Sequence, residues 1–255
     1  MNTKGVHVPI EQLNGIELYY ESHGDGPVVT FLHGAGGSHI SWWQQVPEFS
    51  RRYRCITVDQ RGFGRSTDPT GTGPAKFADD LEALLNRLGV ERTALVAQSM
   101  GGRTAMDFTL RYPERVWALA MCDTWGYFDW PEFKARAAAL RSPTPGVGGF
   151  GARYPREHPR GTFLYQQIVG LNPERAWSAV ETSASPKEAV AALAVPTLFV
   201  VGSEDPIFPP TLIKAVHELM PGSRYVELDG CGHSGYFEDA PAFNAHVGGF
   251  LAEHA

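Results

Sequence analysis

The fold of this 255-residue chain is decided by the stretch TALVAQSMGGRTAMDFTLR, residues 93–111. Its first part, residues 93–97, is short and almost entirely apolar, which is typical of a strand covered on both faces. Its second part, residues 100–111, predicts a helix. Only Gln98 and Ser99 separate the two elements, so the chain must turn sharply from strand to helix at Ser99.

Ser99 is the candidate nucleophile at this turn. A serine hydroxyl attacks poorly at neutral pH without a base beside it, and a tight strand-to-helix turn can present it above the sheet edge. Such a turn requires small residues two positions before and two positions after the serine, and the chain has Ala97 and Gly101 there. The alternative is that Ser99 merely caps the following helix.

Short apolar runs and helical patterns alternate on both sides of this turn. Further strands are predicted at residues 16–21, 28–32, 55–58, 116–121 and 196–201, and a further helix at residues 75–88. Alternating strands and helices are typical of a mostly parallel central sheet flanked by helices. The sequence therefore predicts the α/β class.

The alternation breaks between residues 125 and 190. This stretch is rich in proline, glycine and aromatic residues and carries several short helical patterns. It predicts a mainly helical segment inserted between two consecutive strands, so that residues 1–124 and 191–255 together form the sheet domain. The alternative is a surface excursion whose aromatic residues form a small core of their own.

Four further segments resemble the signature segments of the α/β-hydrolase family. They are HGAGGS (residues 33–38), DQRGFGRS (residues 59–66), GSEDP (residues 202–206) and GCGH (residues 230–233). Together with the Ser99 turn they follow the family's order, and the resemblance covers nearly all of the chain outside the inserted segment. The one departure is Ala97, where the family usually has glycine, and alanine is small enough for the same turn.

The resemblance implies a catalytic triad of Ser99, Asp205 and His233. His233 is expected to take the proton of Ser99 and later return it to the leaving group, while Asp205 holds the imidazole in the required tautomer. Asp123 is the alternative acid, because it follows the strand after the nucleophile helix, where some members of the family place theirs.

The resemblance also implies an oxyanion hole and a lid. The backbone N–H groups of Ala35 and Met100 are expected to bind the developing negative charge of the tetrahedral intermediate. In the family the segment after the sixth strand forms the lid, and residues 125–190 are expected to occupy that position. The aromatic content of this segment suggests an apolar pocket. The candidate substrate-binding residues in the lid are Trp125, Phe128, Trp130 and Phe163.

Composition and residue spacing exclude several classes of binding partner and cofactor. The formal net charge is −6 and no block of lysine and arginine stands out, which argues against nucleic acid as a partner. The histidines lack the helical spacing of a zinc-protease motif, and the loop at residues 34–39 lacks the glycine and lysine pattern of a nucleotide site, so no metal and no cofactor are expected. The apolar runs are too short to span a bilayer. Three widely spaced cysteines favour reduced thiols and a cytoplasmic location.

The expected function is that of a serine hydrolase acting on a small molecule. The predicted reaction is the cleavage of a small apolar or aromatic carboxylic ester or lactone through an acyl-enzyme. Three alternatives remain open: a carbon–carbon bond hydrolase of ring-cleavage diketones, a cofactor-free haloperoxidase or perhydrolase, and a non-enzymatic ligand receptor on the same scaffold. The sequence determines neither the natural substrate nor whether the chain is a monomer or a dimer.

Overall fold

The computed structural model of the protein describes residues 9–140, 146–174 and 183–255. In these parts of the chain, eight strands form one sheet. They are β1 (Ile10–Leu13), β2 (Ile16–His23), β3 (Val28–Leu32), β4 (Arg54–Val58), β5 (Thr93–Gln98), β6 (Val116–Cys122), β7 (Thr197–Gly202) and β8 (Arg224–Leu228).

The strands lie in the order β1-β2-β4-β3-β5-β6-β7-β8. The first two strands pair antiparallel, and β2 also pairs antiparallel with β4, whereas all later pairings are parallel. The mostly parallel sheet expected from the sequence is confirmed. Because parallel strands end at the same edge of a sheet, the loops after β3, β5, β6, β7 and β8 all meet at that edge.

Helices cover both faces of the sheet. They are α1 (Val46–Phe49), α2 (Phe77–Arg87), α3 (Met100–Arg111), α4 (Pro131–Leu140), α5 (Tyr154–Glu157), α6 (Pro159–Gly170), α7 (Lys187–Ala191), α8 (Pro210–His217), α9 (Gly235–Glu238) and α10 (Ala240–His254). None of the helices in the described ranges is long and apolar enough to cross a membrane.

The central strand β5 shows why the sheet is covered on both sides. Leu95 and Ala97 pack into the hydrophobic core on one face, and Ala94 and Val96 pack into the core on the other. Since side chains alternate along a strand, an uninterrupted apolar run buries both faces. The bounds of β3 and α3 agree with the sequence-based prediction, whereas β1, β8 and the three last helices were not predicted.

The segment between β6 and β7 contains α4, α5, α6 and α7. Short helices and irregular stretches alternate in the described part of residues 125–190, for which the sequence predicts a mainly helical segment. Residues 141–145 and 175–182 of that predicted lid lie outside the described residues. The described part makes hydrogen bonds to the loops at the carboxyl edge of the sheet.

Candidate active site

Ser99 occupies a strained turn between β5 and α3. Its backbone has φ 48° and ψ −116°, in a region that non-glycine residues rarely adopt, and its side chain is almost fully buried. Gly101 is required two positions later, because a Cβ atom there would lie 2.2 Å from the carbonyl oxygen of Leu32. The close contact between α3 and the end of β3 therefore excludes larger side chains from this turn.

His233 and Asp205 lie beside Ser99. The Nε2 atom of His233 is 2.8 Å from the Oγ atom of Ser99, and its Nδ1 atom is 2.8 Å from the Oδ2 atom of Asp205. The other carboxylate oxygen of Asp205 accepts the backbone N–H groups of Ile207 (2.8 Å) and Phe208 (2.9 Å). A carboxylate that only accepts requires Nδ1 of His233 to carry the proton, which leaves Nε2 free to accept the serine hydroxyl.

Asp123, the alternative acid, has a different set of partners. Its Oδ1 atom accepts the backbone N–H of Gly202 (2.8 Å), and its Oδ2 atom lies 3.4 Å from the N–H of Gly235. Burial, together with the nearby Asp205 carboxylate, raises the pKa of Asp123 to about 8. The geometry therefore places Asp205, and not Asp123, against the imidazole. Asp123 instead connects the end of β7 at Gly202 to the start of α9 at Gly235.

The loop after β3 and the start of α3 meet next to Ser99. Met100 is the first residue of α3, where backbone N–H groups have no acceptor within the helix. Ala35 packs against the small cluster that contains Met100, and a Cβ atom on Gly34 would lie 3.1 Å from the Cβ atom of Ser99. The two residues predicted for the oxyanion hole thus lie on neighbouring segments beside the serine.

His33 supports the loop that carries Ala35. The backbone N–H of Gln60 donates to Nε2 of His33 (3.1 Å), so the proton sits on Nδ1 and is donated to the carbonyl oxygen of Gly34 (2.7 Å). The Gln60 side chain also donates to the carbonyl oxygen of His33 (2.8 Å). His33 therefore holds the loop in shape through these three hydrogen bonds.

The segment between β6 and β7 is joined to the histidine loop. The N–H of His233 donates to the carbonyl oxygen of Gly149 (2.8 Å). Glu238 accepts the N–H groups of Gly151 and Gly232, both at 2.8 Å, and so connects that segment to the residue before the histidine. Burial raises the pKa of Glu238 to about 7.

Asn172 joins the same segment to the other side of the site. Its Nδ2 group donates to the carbonyl oxygen of Gly36 (3.0 Å), and its Oδ1 atom accepts the N–H of Gly64 (2.9 Å). A Cβ atom on Gly36 would lie 3.2 Å from the Cγ2 atom of Val169, so α6 lies directly over the glycine-rich loop.

The four predicted substrate-binding aromatics take different places. Phe128 and Trp130 are buried in the main core and stack on each other, and Trp130 also donates its ring N–H to the carbonyl oxygen of Ser185. Trp125 is buried and stacks on the ring of Tyr127, with the ring centroids 5.8 Å apart. Phe163 lies on α6 and is 62% exposed.

Three residues that touch the triad were absent from the predicted site. The Tyr127 hydroxyl lies 3.4 Å from the Oγ atom of Ser99, and the Phe208 ring packs edge-on against the His233 ring at 5.3 Å. Gln98 donates its side-chain N–H to the carbonyl oxygen of His233 (2.7 Å). Tyr127 belongs to the aromatic-rich segment and Gln98 precedes the serine, but no sequence pattern marks either residue as part of the site.

Comparisons with known proteins identify the family of the chain. The alpha/beta hydrolase fold family matches residues 27–162, more than half of the chain, and a second family, described as TAP-like protein, matches residues 171–254. The chain belongs to the α/β-hydrolase fold family.

Its relatives differ in what they are named for. "Putative non-heme bromoperoxidase BpoC" of Mycobacterium tuberculosis is 30% identical, over 93% of this chain and 98% of its own length. A thermophilic esterase from Thermogutta terrifontis, solved with malate bound, is 31% identical with a TM-score of 0.80, over 94% of this chain and 95% of its own. Est816, described as an N-acyl homoserine lactone degrading enzyme, is 26% identical with a TM-score of 0.77, over 95% and 100%.

Proposed function

We propose that the protein is a serine hydrolase that cleaves a small carboxylic ester or lactone through an acyl-enzyme. The observation that carries the proposal is the continuous contact from Ser99 through His233 to Asp205, with both distances at 2.8 Å and the serine on a strained strand-to-helix turn. This arrangement provides the nucleophile, the base and the group that orients the base, which together are what acyl transfer requires.

The reaction follows from these contacts. His233 takes the proton of Ser99 as the Oγ atom attacks the carbonyl carbon, and Asp205 stabilises the imidazolium that forms. The oxyanion of the tetrahedral intermediate accepts the backbone N–H groups of Met100 and Ala35. The carbon–oxygen bond then breaks, and His233 gives its proton to the leaving oxygen. Water hydrolyses the acyl-enzyme by the same steps in reverse order.

We further propose that residues 125–190 act as a lid over this site. The support is the set of hydrogen bonds by which the segment spans it: Gly149 to the His233 loop on one side and Asn172 to Gly36 and Gly64 on the other. A lid excludes water and strengthens the electrostatic interactions inside the site. An apolar or aromatic acyl or alcohol group suits a site whose walls include Phe208 and Tyr127.

A reducing compartment such as the cytoplasm is part of the proposal. Cys55, Cys122 and Cys231 are buried free thiols, and burial raises the pKa of each of them. Buried thiols of this kind are unreactive, and they are compatible with a compartment that keeps thiols reduced.

The proposal is tested with Ser99→Ala. Labelling by a fluorophosphonate and turnover of a p-nitrophenyl ester should both be lost, with the melting temperature retained. Ser223→Ala is the matched control, since Ser223 bonds to His217, and it should keep both signals. Ester turnover that persists in Ser99→Ala would overturn the proposal. A panel of alkyl esters, aromatic esters and lactones then defines the substrate class.

A second candidate activity is the perhydrolysis of a carboxylic acid, favoured by the 30% identity to the named bromoperoxidase. The same acyl-enzyme on Ser99 would be attacked by hydrogen peroxide in place of water, and the resulting peracid would oxidise bromide. The assay is bromination of an organic acceptor that depends on both acetate and peroxide. Bromination by the wild-type protein that Ser99→Ala abolishes supports this activity; bromination that is equal in both does not.

A further inference from the structure

Tyr127 has a strained backbone at the centre of the site. Only four non-glycine residues in the described ranges have φ in the left-handed region, and three of them, Ser99, Asp123 and Tyr127, belong to this site. Such conformations are unfavourable for non-glycine residues and persist where the surrounding structure enforces them. Tyr127 has φ 56°.

The surroundings of Tyr127 hold its backbone and its ring in place. Its carbonyl oxygen accepts the N–H of Ser183 (2.7 Å), and the Ser183 hydroxyl donates to Asp107 on α3, the helix that begins after the nucleophile. Its ring stacks on Trp125 and meets the edge of Phe208 at 5.4 Å. One backbone hydrogen bond and two ring contacts therefore hold Tyr127 where its hydroxyl lies 3.4 Å from the Oγ atom of Ser99.

The sheet order shows on which side of Ser99 this hydroxyl lies. Strand β5, which ends at the nucleophile, has β3 as one neighbour and β6 as the other. The Ala35 loop follows β3, whereas Tyr127 follows β6, on the side of the loops that carry Asp205 and His233. Phe208 contacts both the Tyr127 ring and the His233 ring. Tyr127 thus approaches Ser99 from the side of the His233 loop, whereas Ala35 approaches it from the side of β3.

We propose that Tyr127 is a further catalytic residue, whose hydroxyl donates a hydrogen bond to the leaving-group oxygen during acylation. The inference rests on the proposed serine-hydrolase function. When the carbon–oxygen bond of the tetrahedral intermediate breaks, the electron pair stays on the leaving oxygen, and the proton that neutralises it comes from His233. Tyr127 keeps its own proton and stabilises the charge that develops on that oxygen before the transfer is complete. In deacylation the same hydroxyl binds the attacking water.

The role predicts a dependence on the leaving group. A poor leaving group builds up more negative charge on the departing oxygen, so it gains more from the hydrogen bond. In Tyr127→Phe, kcat/KM should fall by less than about threefold for a p-nitrophenyl ester and by about tenfold or more for the matched phenyl and alkyl esters. The ring contacts to Trp125 and Phe208 remain in this variant.

The experiment measures kcat/KM for a series of acetate esters of rising leaving-group pKa. Wild type is compared with Tyr127→Phe and with Tyr127→Leu, which also lacks the hydroxyl and should show the same trend. Tyr154→Phe is the control, because the Tyr154 hydroxyl contacts the carbonyl oxygen of Phe237, and its slope should equal that of wild type. Fluorophosphonate labelling of Ser99 verifies that each variant is folded.

The outcomes separate the two proposals. A steeper dependence on leaving-group pKa in both Tyr127 variants supports the role. A loss of the same size for every ester, or no loss, in a variant that still labels overturns it and leaves a packing function for Tyr127. A wild-type protein that neither labels nor hydrolyses any ester overturns the proposed function itself.

Discussion

Replacing each of the two buried aspartates by asparagine distinguishes their roles. Asparagine in Asp205→Asn has a single side-chain oxygen. That oxygen can face either Nδ1 of His233 or the two N–H groups of Ile207 and Phe208, but not both. If the amide nitrogen faced the two N–H groups, two buried donors would lack an acceptor, at a free-energy cost of about 1–3 kcal/mol each. The oxygen therefore stays with the backbone, and the amide nitrogen faces His233.

The imidazole must then change its tautomer. With an N–H group opposite, Nδ1 has to accept and the proton moves to Nε2, where it blocks proton transfer from Ser99. The expected loss in kcat is about 10⁴-fold, the size of effect seen when a triad acid is replaced by its amide, which corresponds to about 5 kcal/mol in the barrier.

Asp123→Asn should behave differently. Because the pKa of Asp123 is raised to about 8, its carboxyl group is mostly protonated at neutral pH, and asparagine has nearly the same shape and charge. The side-chain oxygen can still accept the N–H of Gly202. We expect kcat to fall by less than about tenfold, since no partner of His233 changes.

The assay is the turnover of a p-nitrophenyl ester at pH 7.0, roughly in the range where histidine bases work, with thermal melting to verify the fold of both variants. A large loss in Asp123→Asn beside a small loss in Asp205→Asn would refute the assignment. It would mean that Asp123 orients the base in solution and that the contact between Asp205 and His233 is not the functional one.

Two further predictions concern stability and the lid. The pKa of Asp123 is raised in the folded state and is about 3.9 in the unfolded state, so its contribution to stability is lost as the pH rises from about 4 through 8. Between these pH values the urea midpoint of Asp123→Asn should therefore fall less than that of wild type. An equal fall of the urea midpoint in both proteins would contradict this. Asn172→Ala removes the hydrogen bonds to Gly36 and Gly64 and should raise KM more than it lowers kcat. Leu171→Ala, a substitution at an exposed neighbouring residue, should change neither constant. Equal kinetic constants in the two variants would contradict the proposed role of this segment as a lid.

The part of the site that lies within one loop could be predicted from the sequence. The Ser99 turn is local: a strand, two residues and a helix, with a glycine where the Leu32 carbonyl oxygen leaves no room for a side chain. The loops with Asp205 and His233 were found by their resemblance to family motifs and by their order. Each of these signals is contained in a few consecutive residues.

The family resemblance favoured Asp205, but the sequence left Asp123 open as the alternative acid, because both aspartates follow a strand that ends at the same edge of the sheet. Their different positions depend on which of the two carboxylates lies within hydrogen-bond distance of His233. The packing of the loops after β6, β7 and β8 sets that distance. The aromatic residues of the inserted segment show the same limit: Phe128 and Trp130 lie in the core, Phe163 is exposed, and Tyr127 reaches the nucleophile.

The sequence by itself determined the α/β class, the strand-to-helix turn at Ser99 and the order of the motifs, because periodicity and short-range sterics act between residues close along the chain. Only the tertiary structure decided which acid meets the imidazole, that Glu238 and Asn172 tie the inserted segment to both sides of the site, and that Tyr127 faces Ser99. These are contacts between residues far apart in sequence, and their geometry depends on how the strands, helices and loops pack together.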